Sequence, residues 1–193
     1  AQAAAPPPTA SVSPSPPQPI NASGNILFPS VDSWSVTGAK PGGANPGAKM
    51  ADGNGTTWLV KGNHAAKAGK PKLSNARAAN EVLMAALLQA AGAGAPEMMV
   101  VNLAGKFGAG PTSGTLGVAS KWVDGVEPFN LQDPAHIKAA QEDFAIHAWL
   151  ANYDVVGLSA DNLVIKDGKA INIDTGGAGL FRAQGKPKSE NPD

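Results

Sequence analysis

NYDVVGLSADNLVIKDGKAINIDTGG, residues Asn152 to Gly177, sets three polar side chains, Asp154, Asn162 and Asp174, around a short hairpin. This is the polar set that metal-assisted phosphoryl transfer uses. One acidic residue orients the attacking nucleophile, while an amide oxygen and a second carboxylate hold the divalent ions that neutralise charge on the moving phosphoryl group. The glycines directly after Asp174, Gly176 and Gly177, allow a sharp backbone turn beside such a site. Asp and Asn beside Gly also describe an ordinary β-turn, so the segment acquires meaning only from what surrounds it.

Upstream, Gly55 to Lys61 (GTTWLVK) reads as a strand that ends in a lysine, and Ser74 to Ala91 (SNARAANEVLMAALLQAA) reads as a helix. Val82, Leu83, Ala86, Leu87 and Ala90 recur at helical spacing, with Ser74 as N-cap and Gly92 as the stop. Glu81 falls among these apolar residues. A carboxylate there suits a helix face that meets a buried cation such as Lys61, although each residue taken alone reads better as an ordinary solvated charge. Pro96 to Ala104 and Gly114 to Val123 read as two further strands joined by a glycine-rich turn, which together with the earlier strands makes an antiparallel sheet. From Asp133 to Asn152 the spacing predicts one helix capped by Asp133 with Pro134 in its first turn, burying Ile137, Ala140, Phe144, Ala148 and Leu150 or Ala151.

Taken in order, a strand lysine, a helix glutamate, two strands, a helix, an Asp, an Asn and then Asp-x-Gly resembles the running order of the protein-kinase-like superfamily. The resemblance is to its atypical branch, which includes the actin-fragmin kinase, the phosphoinositide kinases and HipA-like bacterial and prophage kinases. It rests on Ala44-Asn45-Pro46-Gly47, Val60-Lys61, Asn80-Glu81-Val82-Leu83 and Asp174-Thr175-Gly176-Gly177, and covers about residues 35 to 185. The implied fold is α+β and kinase-like: an antiparallel N-lobe sheet with one helix, followed by a short or truncated C-lobe.

The resemblance also implies roles. Lys61 matches the phosphate-binding lysine and Glu81 its ion-pair partner; Asp154 matches the catalytic aspartate; Asn162 and Asp174 match the Mg²⁺ ligands. Gly42, Gly43 and Gly47 fall in the loop that covers the phosphates, where missing side chains let backbone NH groups approach oxygen. Ser120, Lys121, Trp122 and Val123 match the hinge beside the adenine of ATP, with Trp122 read equally as a core aromatic. The pattern departs from the common one in two places. Asn152-Tyr153-Asp154 stands where His-Arg-Asp is usual, and Asp154 precedes Asn162 by eight residues rather than five, which brings Asp161 in as a competitor for a metal-related role. Arg182 is a further cation, read either at the phosphates or in a surface pair.

Composition divides the chain into an Ala/Pro/Ser-rich linker (1–30), a folded domain (31–185) and a mobile tail (186–193). The chain of 193 residues has zero formal net charge and no cysteine, which removes disulfides, thiolate metal sites and any electrostatic case for nucleic acid. No apolar run is long enough to span a bilayer. The three histidines, His64, His136 and His147, read as structural or solvated, with His147 close enough to Asp154 along the chain to be its neighbour. The expected function is an ATP- and Mg²⁺-dependent phosphotransferase acting on a protein hydroxyl. A nucleotide-binding or docking module within a larger secreted or phage-associated protein is the alternative, and nucleotidyl transfer a third. The compartment stays open between cytoplasm and secretion.

Overall fold

Alternation along Gly47–Ala51 and Thr57–Lys61 builds the first half of the molecule: Ala48, Met50, Trp58 and Val60 point to one side and are buried there with Val31, Val101, Leu103 and Ala119. These coordinates are a computed structural model that describes residues 26–62, 70–107 and 114–188. The Ala/Pro-rich stretch 1–20, His64, residues 108–113 of the glycine-rich turn and the tail end 189–193 lie outside the described residues.

The fold is α+β. Its strands are β1 (Ser35–Ala39), β2 (Gly47–Ala51), β3 (Thr57–Lys61), β4 (Met98–Asn102) and β5 (Leu116–Lys121), all antiparallel in the order β1-β2-β3-β5-β4. Asp52 closes the β2–β3 turn by accepting hydrogen bonds from the Asn54 and Thr56 amides and the Trp58 indole, each at 2.9 Å. Pro29 and Val31 bond to Asn102, so the chain before β1 already runs along the edge of β4.

Helix α1 (Pro71–Ala90) packs on the opposite face of β4 and β5, where Ala78, Ala85, Met98 and Val118 are buried together. Two details differ from the sequence reading. The helix starts at Pro71, whose ring presets the first turn and lacks an N–H that would go unsatisfied. Ser74 is therefore not the cap; it is fully buried and donates to the Leu116 carbonyl of β5 at 3.3 Å. The buried stripe is also rotated: Leu83 is exposed, and Ala78, Ala85 and Leu88 lie inside, at i−3, i+4 and i+7 from Glu81. Glu81 thus sits in the middle of the buried stripe. Gly92, at φ +88°, ends the helix as expected.

The second half is a three-stranded antiparallel sheet, β6 (Glu127–Pro128), β7 (Leu163–Lys166) and β8 (Lys169–Asn172), with α2 (Pro134–Glu142) packed on it over Phe129, Ala139, Leu163, Ile165 and Ala170. Asp167 and Gly168, at φ +52° and +74°, make the tight β7–β8 turn. The single helix expected over Asp133 to Asn152 is broken at Asp143, which caps α2 and starts α3 (Phe144–Trp149). Its carboxylate accepts the Gly94 N–H at 3.2 Å, and the break rephases the face, leaving Phe144 and Ala148 exposed and burying His136, His147 and Leu150.

Gly94 joins the two halves. Its carbonyl accepts the Asn172 N–H at 2.8 Å, and a Cβ added there would lie 2.1 Å from the Ala170 carbonyl oxygen. Gly94→Ala is expected to lower stability by about 1–3 kcal/mol, because backbone rather than a flexible side chain must move. Gly53→Ala, which meets nothing within 4 Å, should stay within about 0.5 kcal/mol. Urea midpoints of the two variants check this; equal midpoints would contradict it.

Candidate functional site

Strand alternation places Val60 in the Trp58 cluster and turns the next side chain, Lys61, to the face where α1 lies. There its ammonium forms an ion pair with Glu81 and stands 3.7 Å from Asp174 Oδ2. Burial alone would lower the Lys61 pKa; the charges of Asp174 and Glu81 outweigh it and raise the pKa, so Lys61 is a cation. Sequence reading placed Lys61, Glu81 and Asp174 in one site, and the structure brings these three together.

The loop after β8 is held against α1 by side chains to which the sequence reading gave no role of their own. Thr175 is fully buried and donates to the Glu81 carbonyl at 2.8 Å. Asn80 donates to the Ala178 carbonyl and accepts from the Leu180 N–H, both at 3.0 Å. Asn172 accepts the Asp174 N–H at 3.2 Å, and Asp174 Oδ1 in turn accepts the Gly176 N–H at 3.1 Å. A Cβ on Gly177 would lie 2.9 Å from Asp154 Cβ, so a bare backbone is needed for this loop to pass the Asp154 segment.

Asp154 lines the same pocket as Lys61, Glu81 and Asp174, whereas Asn162, the other predicted cation ligand, does not line it and reaches it only through Asp154. Asn162 Nδ2 donates to the Asp154 carbonyl at 2.7 Å, which turns the amide oxygen to the other end of the side chain. Burial raises the Asp154 pKa, Asn162 opposes the rise, and Asp174 and Asp161 add to it. Lys188 Nζ donates to the Ala151 and Gly177 carbonyls, so the described part of the tail is tied to the same loop pair. The enclosed polar pocket, about 80 Å³, is lined by Lys61, Glu81, Asp154 and Asp174 together with Asn45, Arg77 and Arg182.

Arg77 was legible in principle: it lies one helical turn before Glu81, on the same face. Burial lowers its pKa, with Glu81 and Asp174 acting against that. Lys40 is a second missed cation; burial and then Lys61 lower its pKa, while Asp174 and Asp161 oppose. Of the predicted glycines, Gly42 and Gly43 have φ +128° and +76°, and Gly47 lies against β3, where a Cβ would meet the Val60 carbonyl oxygen at 2.3 Å. None of the three lines the polar pocket; Asn45 of the same loop does.

Lys121 and Trp122 stand apart from these groups. They line a neighbouring, mainly apolar cleft of about 450 Å³, with Leu59, Val123, Phe129, Leu163 and Ile173 among its walls. Lys121 pairs with Glu97 at 3.1 Å, the Lys49 ammonium sits 3.8 Å from the Trp122 ring centre, and the Trp122 N–H bonds to the Thr57 carbonyl. Trp122 is therefore half-buried at the cleft wall rather than in the core.

His136 Nδ1 accepts the Asn130 N–H at 3.0 Å while Nε2 faces Glu127 and Asp133, a role within the α2 packing. Among the described residues no helix is long and apolar enough to cross a membrane. No known protein-family model matches this sequence, and no curated protein matches it.

Proposed function

We propose that this chain is an ATP- and Mg²⁺-dependent phosphotransferase of atypical kinase type that modifies a protein hydroxyl. The observation that carries the reading is the buried Lys61–Glu81 pair beside Asp174, with Asp154 across a small polar pocket. A lysine held charged in this way is a fixed anchor for phosphate oxygens. The antiparallel sheet with one helix on its face agrees with a kinase-like N-lobe. The adjoining apolar cleft has the volume of a small-ligand site and suits a purine, with Lys121, Trp122 and Val123 among its lining residues.

The donor chemistry fits a hard cation. Asp174 offers a carboxylate at the pocket, and Asn162, bonded to the backbone of the neighbouring Asp154, offers an amide oxygen. Mg²⁺ is commonly held by one or two carboxylates with the remaining positions filled by phosphate oxygens and water. When bound, it would supply charge neutralisation on the β- and γ-phosphates. The chain's own residues do the rest: Lys61 holds the α- and β-phosphates, and Asp154 accepts the acceptor hydroxyl's proton. The acceptor oxygen bonds to the γ-phosphorus as the bond to the β–γ bridging oxygen breaks, and ADP leaves. The raised pKa of Asp154 makes it a better proton acceptor than a solvated aspartate. Asp154 also lines an apolar groove with Phe129, Ile137, Val155 and Leu158, which gives an acceptor chain a path to the carboxylate.

A thermal-shift titration with ATP and Mg²⁺ tests this. A ligand at a hundred times its dissociation constant adds about 2.7 kcal/mol to folding, a rise in melting temperature that is readily resolved. The shift is expected to need Mg²⁺ and to vanish in Asp174→Ala. A folded wild-type protein that shows no shift would leave a docking module as the better reading. Label from the α-phosphate on an acceptor would point instead to nucleotidyl transfer.

A further inference from the structure

His147 is buried at 4 % exposure, and its Nδ1 lies 3.2 Å from Nδ2 of Asn152, itself 5 % exposed. Asn152 Oδ1 accepts the Asp154 N–H, also at 3.2 Å. An amide nitrogen only donates, so the ring nitrogen opposite it must be the unprotonated one, and the neutral ring carries its proton on Nε2. The Asp154 N–H, by bonding to Oδ1, is what turns the amide nitrogen toward the ring.

We propose that His147 and Asn152 are positioning residues for Asp154: a neutral, Nε2-protonated His147 accepts from the Asn152 amide, whose oxygen then holds the Asp154 backbone in place. The proposal rests on the phosphotransfer reading for its effect on turnover, while the hydrogen-bond chain itself does not. Protonating His147 would put an N–H on Nδ1, facing the Asn152 NH₂ donor to donor. Turning the amide over relieves that clash but sets the same NH₂ against the Asp154 N–H. One proton therefore breaks a bond in either amide orientation, and the strain falls on the segment that carries the proton acceptor. A displacement of about 1 Å in a reacting group can cost on the order of a hundredfold in rate.

The surroundings favour the neutral ring. Burial lowers the His147 pKa, and Asp143, which starts the same helix, acts against this. Among the described residues lining the apolar groove that His147 also lines, the only other ionisable side chains are those of Tyr153 and Asp154, with no lysine or arginine. Because the folded pKa lies below the ordinary imidazole value, the contribution of neutral His147 is complete above that value and is lost as pH falls through the folded pKa. Turnover should fall on the acid side accordingly.

The test is long-range ¹H–¹⁵N correlation of the imidazole rings in the ¹⁵N-labelled full chain, which has only three histidines, with Asn152 variants for comparison. The wild-type His147 is expected as the Nε2–H tautomer at neutral pH. In Asn152→Asp the facing group can only accept, so the ring should switch to an Nδ1–H form and titrate at higher pH. A wild-type Nδ1–H tautomer, or a ring unchanged by Asn152→Asp, would overturn the proposal. Asn152→Ala should lower kcat at least tenfold with KM for ATP and the Mg²⁺·ATP melting shift unchanged; an unaltered kcat would remove the positioning role. If the wild-type protein shows no Mg²⁺·ATP shift at all, phosphotransfer is what fails, and the tautomer result still decides whether the hydrogen-bond chain exists.

Discussion

Lys61→Ala is expected to lower stability by about 3–5 kcal/mol and to abolish the Mg²⁺·ATP melting shift. Removing the ammonium leaves Glu81 facing Asp174 in the buried stripe of α1 with its nearest counter-charge gone. The cost is that of an uncompensated buried charge, so it should depend on pH. Burial already raises the Glu81 pKa, and without Lys61 nothing as close opposes the rise. A carboxyl whose folded pKa exceeds its unfolded value favours folding only while protonated. The penalty in Lys61→Ala should therefore be small at acid pH and grow as pH rises past the ordinary glutamate range. Replacing both members, as in Lys61→Met with Glu81→Leu, should recover most of the stability, since apolar groups of similar size remove the charge problem. The nucleotide shift should stay absent. Urea unfolding of the two singles and the double at several pH values measures this. A double variant as unstable as Lys61→Ala would show that the pair does not act as a unit.

Asp154→Asn is expected to lower phosphoryl transfer by about 10²–10⁴-fold while leaving the Mg²⁺·ATP melting shift intact. The substitution is nearly isosteric, so the contact with Gly177 and the Asn162–Asp154 backbone bond are kept. What is lost is the group that takes the hydroxyl proton. Asp174→Ala should behave differently, losing the shift itself, because it removes the carboxylate offered to the cation and one of the charges that hold Lys61. Release of γ-labelled phosphate from ATP to water serves as the assay before any protein acceptor is known. Equal loss of melting shift in Asp154→Asn and Asp174→Ala would refute the division of roles.

Much of the site was legible because its chemistry is carried by residues with few other reasons to be where they are. Glu81 amid apolar neighbours was awkward for a plain amphipathic helix, while Lys61 at the end of a strand acquired meaning only from its order before Glu81 and the acidic segment; the structure pairs them. Periodicity was less reliable for direction than for existence. Helix α1 was foreseen, yet its buried stripe is rotated because Ser74 and Glu81 turn inward to bond with β5 and Lys61, which an apolar count cannot register. The break at Asp143 was missed for a similar reason: its carboxylate answers to Gly94, far away in sequence.

Local sequence by itself determined the strand ending in Lys61, the Asp167-Gly168 hairpin turn, the Gly92 stop and the identity of the polar groups, since each depends on a residue's own backbone preference or chemistry. Only the tertiary structure decided which polar groups meet. It brought Arg77 and Asn45 into the pocket, left Gly42 and Gly43 outside it, and gave Thr175 and Asn80 the task of holding the Asp174 loop on α1. The physical reason is range: a turn or a helix end is settled by bonds within a few residues, whereas a buried charge is settled by whichever counter-charge the packed sheet and helix deliver to it.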